Sequence, residues 1–263
     1  TRKMKRSKQR QAVALSRPHL MLRVAVTMAM AAATLPFTTA SLPAIFRLTG
    51  TPGAAVGTLT STGNTTSTLS VTPEGSPVYD SDGYMSFDGT DDHLNLGSLS
   101  LAAWPITLMA WLKPATNNQY QTVFDIGKSN GAAPGNIQVF EVKPGKCRLR
   151  LIGTTGDFAA DTPEGCLTTG EWFHLAVTIS GTSGEVYKNG VNIKSHSRQA
   201  ASSEAAGERT AYVGRSHYPA PLFAGSMADF RIYATALSAA EVSTVMSDLD
   251  IKNPPPSPPP SPP

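Results

Sequence analysis

Residues 172–179 read Trp172-Phe-His-Leu-Ala-Val-Thr-Ile179 and form the most apolar of a series of short runs along the chain. A run of this length, rich in β-branched and aromatic side chains, predicts a strand, and its continuous hydrophobicity predicts a central one. Turn residues separate it from the other predicted strands. The other predicted strands are residues 106–112, 122–126, 137–142, 147–152, 210–213 and 229–233.

Two local signals complete this pattern. Asn189-Gly190 separates residues 185–188 from residues 191–194 and predicts a β-hairpin, because both residues tolerate the positive φ angles of a type I′ turn. Ser238-Ala-Ala-Glu241 is a capping box, which predicts a helix over residues 239–249. Many short strands with one short helix predict an all-β sandwich.

The N-terminal end of the chain differs from the rest. Residues 1–23 carry eight basic side chains and no acidic one, and a short apolar run then leads through small residues to Ala40. This order predicts a secretory signal peptide in residues 1–40, with a signal anchor or an organelle transit peptide as alternatives. A secreted chain, placed outside the cell or at its surface, is the preferred interpretation.

The C-terminal end, residues 253–263, consists of Asn253 followed only by Pro and Ser. Such a segment predicts a polyproline II rod, and its Ser-Pro-Pro-Pro repeats resemble the hydroxyproline-rich glycoproteins of plant and green-algal matrices and cell walls. A plain linker or a ligand for an SH3-like module is the alternative. The sandwich then occupies residues 41–252. Within it, residues 49–72 hold nine Thr and three Ser and predict a surface excursion or an O-glycosylated linker.

The charge balance argues against nucleic acid as a partner. The chain has 22 Lys and Arg against 19 Asp and Glu. Without the eight basic residues of the leader, 14 remain against those 19 acidic ones, so residues 24–263 have a net charge of −5. A nucleic-acid surface needs clustered basic residues on the folded part of the protein.

Cysteine usage and one sequon fit an extracellular chain. Cys147 and Cys166 are the two cysteines, and in an oxidising compartment they predict a disulfide; two buried free thiols are the alternative. No Cys-x-x-Cys pair or His cluster accompanies them, which argues against zinc. Asn64-Thr65-Thr66 is an N-glycosylation sequon, which matters only if the chain is secreted.

Four longer segments carry a family resemblance. They read Met85-Ser-Phe-Asp-Gly-Thr-Asp-Asp-His-Leu94, Glu171-Trp-Phe-His-Leu-Ala-Val-Thr178, Tyr187-Lys-Asn-Gly190 and Phe223-Ala-Gly-Ser-Met-Ala-Asp-Phe-Arg-Ile-Tyr233 with residues 236–242. In this order they resemble the LamG-like jelly rolls of the concanavalin A-like lectin and glucanase superfamily. The resemblance implies two stacked antiparallel sheets. The chain departs from the family at residues 45–50, which lack the usual aromatic pattern, and at Ala228, where the family has an acid.

The resemblance also implies a structural calcium ion at the edge of the sandwich. Its ligands would be Asp229 and the Asp88-Gly89 turn, with Asp91 and Asp92 as further candidates. Calcium binds six to eight oxygen atoms from carboxylates and carbonyls. The alternative is that Asp88 and Asp92 cap a tight turn.

Catalysis is not expected. Glycosidases of the superfamily that this chain resembles carry paired carboxylates on alternate positions of one strand, as in Glu-x-Asp-x-Glu. A retaining mechanism needs two carboxyl groups about 5 Å apart. The sequence contains no such motif, and the strands that would carry it offer Glu141 alone. His174, between Phe173 and Leu175, is predicted to be a packed core residue.

Two polar loops with tyrosines have the chemistry of a sugar site, because lectin-like sites stack an exposed aromatic ring on the sugar and add polar contacts from loops. The candidate ligand-binding residues are Asn117, Asn118 and Tyr120 in one loop and Tyr218 in the other. Ordinary polar loops are the alternative.

The sequence therefore predicts a secreted, non-catalytic adhesion or matrix module on a Pro-rich stalk, with extracellular glycans or matrix glycoproteins as partners. A purely structural building block of an extracellular fibre, associating with copies of itself, is the alternative. A glucanase-like enzyme is the third and least favoured interpretation.

Overall fold

The computed structural model describes residues 44–46, 48–60, 70–101, 105–127, 136–152, 157–180, 183–197 and 207–248. These residues form two antiparallel sheets of eight strands each and one helix, so the predicted all-β sandwich is confirmed. The predicted signal peptide (residues 1–40), the sequon at Asn64 and the Pro-rich tail (residues 253–263) lie outside the described residues. Within the described ranges, no helix has the length and hydrophobicity to cross a membrane.

Eight strands build the first sheet. They are β1 (Ala44–Phe46), β4 (Val78–Tyr79), β5 (Met85–Asp88), β7 (Ile106–Pro114), β12 (Phe173–Ile179), β13 (Ser183–Lys188), β14 (Val191–Ser197) and β16 (Ala224–Tyr233). Their order is β14-β13-β12-β7-β16-β5-β4, with β1 paired to β16. Every residue of β12 is buried, as its sequence predicts, but the middle position of this order belongs to β7.

The other eight strands build the second sheet. They are β2 (Leu59–Thr60), β3 (Ser70–Glu74), β6 (His93–Leu101), β8 (Thr122–Gly127), β9 (Ile137–Lys143), β10 (Lys146–Ile152), β11 (Asp157–Asp161) and β15 (Gly207–Val213). Their order is β11-β10-β9-β8-β15-β6-β3-β2. β2 and the first three residues of β3 fall within residues 49–72, so part of the Thr-rich stretch belongs to the sheet, and Val71 of β3 is buried in the core.

The main core lies between the two sheets. The alternate residues Ile106, Leu108, Ala110 and Leu112 of β7 contribute to it from the first sheet, as their spacing predicts. The second sheet contributes apolar side chains that include Phe124, Val139 and Leu149. Apolar burial between the two inner faces is therefore what holds the sandwich together.

Part of the outer face of the first sheet is also buried, because the helix α1 (Ala239–Met246) packs on it. Met109 of β7 forms a second apolar cluster with Leu237, Val242 and Val245. The capping box is present: Ser238 Oγ accepts from the backbone N–H of Glu241, and the Glu241 carboxylate accepts from the backbone N–H of Ser238. The helix ends at Met246, three residues before the predicted end.

Two local features match their predictions. Asn189 and Gly190 have φ angles of 51° and 76° and turn the chain from β13 to β14. Cys147 and Cys166 form a disulfide with 5.7 Å between their Cα atoms, and both are buried, which excludes the alternative of free thiols. The disulfide ties β10 to the loop that precedes β12.

Candidate functional site

A pocket of about 370 Å³ opens on the outer face of the second sheet, where β8, β9 and β10 lie side by side. Strand residues form its floor, and the loops before β8 and after β15 form its sides. Its lining residues are Tyr120, Thr122, Gln138, Phe140, Arg148, Arg150, Ser216, Tyr218, Pro219, Ala220 and Pro221.

Strand register explains why these floor residues meet. Phe140 on β9 is opposite Thr122 on β8 and Arg148 on β10, and Gln138 is opposite Arg150. Residues directly opposite each other on adjacent antiparallel strands have neighbouring side chains. The alternation of β9 and β10 therefore sends apolar side chains into the core and polar or aromatic side chains into the pocket.

Tyr120 forms one side of the pocket and is unusually exposed for a large aromatic residue. Its relative exposure is 49%, and its ring centroid lies 6.2 Å from that of Phe140. Its φ angle is 70°, in the left-handed region that a non-glycine residue rarely adopts. Such a conformation persists only where its surroundings hold it, and it occurs preferentially at functional sites.

A buried polar pair holds the Tyr120 loop. Gln121 and Glu141 are both completely buried, and Gln121 Nε2 donates to the Glu141 carboxylate and to the carbonyl of Thr116. The backbone N–H of Tyr120 donates to the carbonyl of Glu141 at 2.6 Å. Burial raises the pKa of Glu141, against the opposing effect of the hydrogen bonds from Gln121 and Gly145. Glu141 is thus a positioning residue beside the pocket.

Two arginines lie on the β10 side of the pocket. Arg148 makes a bidentate ion pair with Asp161 of β11, with nitrogen–oxygen distances of 2.5 and 3.0 Å. The hydrogen bond to Asp161 raises the pKa of Arg148, and the same contact lowers the pKa of Asp161. The guanidinium carbon of Arg150 lies 5.8 Å from the centroid of the Tyr218 ring, within the range of a cation–π interaction.

A buried carboxylate beneath the pocket orders two of its lining residues. Asp125 of β8 is completely buried, and its Oδ2 accepts from Gln138 Nε2 and Ser216 Oγ, both at 2.8 Å. It also accepts from the backbone N–H of His217 at 2.9 Å, and His217 Nδ1 lies 3.0 Å from Asp125 Oδ1. Both His217 contacts come from the loop that carries Tyr218.

The structure brings together part of the predicted ligand-binding set. Tyr120 and Tyr218, 98 positions apart in sequence, line one pocket. Asn117 and Asn118 are exposed and do not belong to its lining; the Asn118 carbonyl accepts from the backbone N–H of Gln121. Sequence reasoning missed Gln138, Phe140, Arg148 and Arg150. Their alternation with core residues was the available signal, but only the strand order shows that they share a surface.

The predicted metal residues fall in two separate places. Asp88, Asp91 and Asp92 have carboxylate oxygens within 4.8 Å of one another, and such oxygens are suitable calcium ligands. Asp92 is buried, and its two oxygens accept from the backbone N–H groups of Ser76 and Asp88. Asp88 Oδ1 accepts from Thr90 N–H at 2.7 Å, which is the main cause of its lowered pKa. Gly89 has a φ angle of 77° and could not carry a side chain, because a Cβ atom would lie 2.7 Å from Ala224 Cβ.

Asp229 does not join this cluster. Asp88 is opposite Ala224 on β16, so Asp229 lies five residues further along that strand, about 16 Å at the usual rise of a strand. It is buried at a bulge, where its Oδ2 accepts from Arg231 Nη2 at 2.7 Å. Burial alone would lower the pKa of Arg231, but the contacts with Asp229, Tyr233 and Asp248 raise it on balance. Ala228, where the family has an acid, packs against Tyr84 and Trp111.

The two residues considered for catalysis, His174 on β12 and Glu141 on β9, belong to different sheets. His174 is buried on β12, its ring 5.5 Å from that of Trp111, so the prediction of a core histidine is confirmed. Burial, with a smaller contribution from Arg231, lowers its pKa to about 3. The pocket lining contains no Asp or Glu. Asp125, Glu141 and Asp161 lie on the strands around the pocket and accept the hydrogen bonds given above.

The sequence model of the Laminin_G_3 family, described as the concanavalin A-like lectin/glucanases superfamily, matches residues 88–243. This match spans more than half of the chain, and the chain belongs to that family. The resemblance seen in the sequence is thereby confirmed at the level of the superfamily. No curated protein matches the chain significantly.

Solved structures with the same fold include a domain of an enzyme and binding domains of toxins. Domain 4 of AbnA, a GH43 extracellular arabinanase from Geobacillus stearothermophilus, in complex with arabinotriose, is 21% identical; the match covers 65% of this chain and 80% of that one, with a TM-score of 0.52. The botulinum neurotoxin serotype C1 binding domain is 12% identical, with 81% of this chain and 53% of that one covered and a TM-score of 0.59. The chain thus spans about half the length of the toxin domain. At sequence identities this low, the structural similarity shows a shared fold and nothing about function.

Proposed function

We propose that this protein is a non-catalytic carbohydrate-binding module and that the pocket between Tyr120 and Tyr218 is its glycan site. The observation that carries the proposal is the meeting of these two tyrosines, from separate loops, across a floor of polar strand residues. An aromatic ring covers the apolar face of a sugar, while neighbouring side chains bond to its hydroxyl groups. Gln138, Ser216 and the two arginines offer these polar contacts.

The size and rigidity of the pocket suit a small part of a glycan. A volume of about 370 Å³ is at the lower end of the range for small-molecule sites and accommodates one or two sugar units of a longer chain. The buried groups Asp125 and Glu141 fix both sides of the pocket before a ligand arrives. Preorganisation of this kind reduces the entropy lost on binding.

Two comparisons support a binding role. The solved structures with this fold include toxin binding domains, and the arabinanase domain was solved with arabinotriose. The absence of Asp and Glu from the pocket lining supports a role without catalysis, because glycoside hydrolysis uses a pair of carboxyl groups. The proposal includes secretion and a Pro-rich stalk, which the leader, the tail and the disulfide support.

A glycan-array screen of the purified protein, followed by calorimetric titration of the best ligand, tests the proposal. Tyr120→Ala and Tyr218→Ala are expected to weaken binding about tenfold or more, since each replacement removes the apolar contact between an aromatic ring and the sugar, and burying an aromatic side chain contributes on the order of 1.5–3 kcal/mol. Asn117→Ala is the matched control, because Asn117 lies in the same loop and outside the pocket lining. It is expected to bind like the wild type.

The proposal fails if the folded protein binds no glycan, or if binding survives both tyrosine replacements. The first result, together with concentration-dependent self-association, would favour the structural building block of an extracellular fibre. Release of reducing sugar from a bound glycan would instead favour an enzyme.

A further inference from the structure

We propose that Glu141 is a proton-sensitive switch for the Tyr120 side of the pocket: its carboxylate holds the loop of residues 115–121, and its protonation releases that loop. This inference rests on the proposed glycan-binding function and names a regulation of the same site, in which acid weakens binding. It is carried by the position of Glu141 in the fold and by the hydrogen bonds to its two carboxylate oxygens.

Glu141 lies on the inner side of the second sheet. On β9 it follows the core residues Ile137 and Val139 at alternate positions, and it is opposite the buried Cys147 of β10. It is completely buried, and among the described residues no cation forms an ion pair with it. Burial of a carboxylate without a cation disfavours the charged form, which is why the pKa of Glu141 is raised.

The ionisable side chains of the surrounding elements do not supply the missing cation. Lys143 of β9 contacts Glu164 at 3.6 Å, and Arg148 of β10 contacts Asp161. The other ionisable groups on these elements are Lys113 on β7, Tyr120 in the loop, Asp125 on β8, Lys146 on β10 and Lys188 on β13. Burial and the hydrogen bonds from Gln121 and Gly145 account for the pKa of Glu141, without a contribution from any of these charges.

Both oxygens of the Glu141 carboxylate accept a hydrogen bond from the protein. Oε1 accepts from the backbone N–H of Gly145, and Oε2 accepts from Gln121 Nε2. Hydrogen bonds to an ionised acceptor are stronger than neutral ones. Protonation turns one of these oxygens from an acceptor into a donor, so one of the two contacts is broken or weakened.

Gln121 transmits this change to Tyr120, which precedes it in the chain. Gln121 Nε2 donates to both the Glu141 carboxylate and the Thr116 carbonyl, whereas Gln121 Oε1 is buried without a hydrogen-bond partner. A protonated Glu141 can donate to Gln121 Oε1 if the amide group turns over, and the Thr116 carbonyl then loses its donor. The loop thus has two hydrogen-bonding arrangements, one for each protonation state of Glu141.

The backbone of Tyr120 favours the release of the loop. Its φ angle of 70° persists only while the surroundings hold it, and its N–H donates to the carbonyl of Glu141. In a released loop the Tyr120 ring is no longer fixed at the pocket. Part of the free energy of glycan binding is then needed to order the loop, and the apparent affinity falls.

Nuclear magnetic resonance of the isotope-labelled protein without a glycan tests the switch directly. Three groups donate to Glu141: the backbone N–H of Gly145, the side-chain amide of Gln121 and the backbone N–H of Tyr120. Their signals are expected to shift together between about pH 7.5 and pH 4, with one midpoint above 4.5, the ordinary pKa of glutamic acid. Separate midpoints, or no shift of the Gly145 signal, would overturn the inference.

Glycan binding at two pH values tests the consequence for the site. The probes are the neutral glycans of the array, because they do not titrate themselves. The affinity for each one that binds at about pH 7.5 is expected to fall about tenfold at about pH 4.5, which corresponds to the loss of one charge-assisted hydrogen bond. Circular dichroism at both pH values confirms that the protein is folded.

Replacement of Glu141 locates the pH response. Glu141→Gln is expected to bind at both pH values as weakly as the wild type does in acid, because the amide has the size of the carboxyl group and does not ionise. Glu164→Gln is the matched control, since this side chain is 79% exposed and lies outside the pocket lining. It should keep the full pH response.

The outcomes separate this inference from the proposed function. An affinity of the wild type that does not change with pH, or a pH response that persists in Glu141→Gln, would leave the glycan site standing and overturn the switch. The absence of binding to any glycan would overturn the proposed function, and the titration of the Gly145, Gln121 and Tyr120 signals would still decide whether Glu141 controls the loop. The same titration of the wild type decides the matter if Glu141→Gln does not fold.

Discussion

Asp125 on β8 and Ser216 in the loop after β15 are joined by a hydrogen bond of 2.8 Å from the Ser216 hydroxyl to a completely buried carboxylate oxygen. The two residues are 91 positions apart in sequence. Gln138 of β9 donates to the same oxygen. A single buried group thus connects three segments, all of which place side chains in the pocket.

We expect Asp125→Ala to destabilise the protein by about 3 kcal/mol and to weaken glycan binding. The replacement leaves buried donors on Gln138, Ser216 and His217 without their acceptor, and such orphaned groups are costly. Urea unfolding measures the free energy, and calorimetry measures the affinity. Asp82→Ala is the control, since this side chain is 57% exposed and should change stability by no more than about 0.5 kcal/mol. Equal stabilities of the two variants would contradict the role given to Asp125.

The conformation of Tyr120 predicts that stability and binding can be separated. At a φ angle of 70°, a non-glycine residue pays roughly 1 kcal/mol in conformational strain, which glycine does not. We therefore expect Tyr120→Gly to be as stable as the wild type, or more stable by up to about 1 kcal/mol, while glycan binding is lost with the ring. Thermal melts and calorimetry measure the two effects.

Tyr120→Phe is the matched variant for this test, because it keeps both the ring and the backbone conformation. It should retain the stability of the wild type and most of its affinity. A clear loss of stability in Tyr120→Gly would instead show that the contact between the Tyr120 and Phe140 rings matters more than backbone strain.

The sequence predicted the sandwich and half of the site for identifiable reasons. Apolar runs between turn residues predicted β7, β8, β9, β10 and β12, and Tyr120 and Tyr218 were recognisable as aromatics in polar loops. The short strands β4, β5 and β11 were missed because few residues carry their pattern. Asp125 was hidden within an apolar strand, and its function depends on contacts with Gln138 and Ser216 that only the strand order brings about. Asp229 was assigned by family resemblance, whereas its ion pair with Arg231, two residues further along the same strand, forms at the bulge in β16.

We expect the buried ring of His174 to make the folded protein less stable as the pH falls. Its pKa is lowered to about 3 in the folded protein, against about 6.5 in an unfolded chain, because burial disfavours the protonated ring. The unfolded state therefore binds the proton more readily, so this contribution to stability is complete above pH 6.5 and is lost as the pH falls towards 3. The slope approaches about 1.4 kcal/mol per pH unit within this window.

Chemical denaturation between pH 4 and pH 7.5 measures how the free energy of unfolding changes with pH. His174→Leu should reduce this slope by nearly the contribution of one proton, whatever the replacement does to the stability at neutral pH. His196→Leu is the control, because His196 belongs to β14 and its side chain is exposed to solvent. Identical slopes for the wild type and His174→Leu would show that other groups cause the loss of stability in acid.

Calcium binding at Asp88, Asp91 and Asp92 stays a prediction, and the geometry makes it specific. Three carboxylates within 4.8 Å repel one another, so a bound cation should stabilise the turn between β5 and β6. We expect calcium to raise the melting temperature of protein first treated with chelator, and Asp91→Asn to reduce that rise. Asp229→Asn lowers stability by disturbing Arg231 but should keep the full response to calcium, because Asp229 lies in a different part of the first sheet. A melting temperature that is unaffected by calcium and chelator would show that these carboxylates serve only to cap the turn through the backbone N–H groups of Ser76, Asp88 and Thr90.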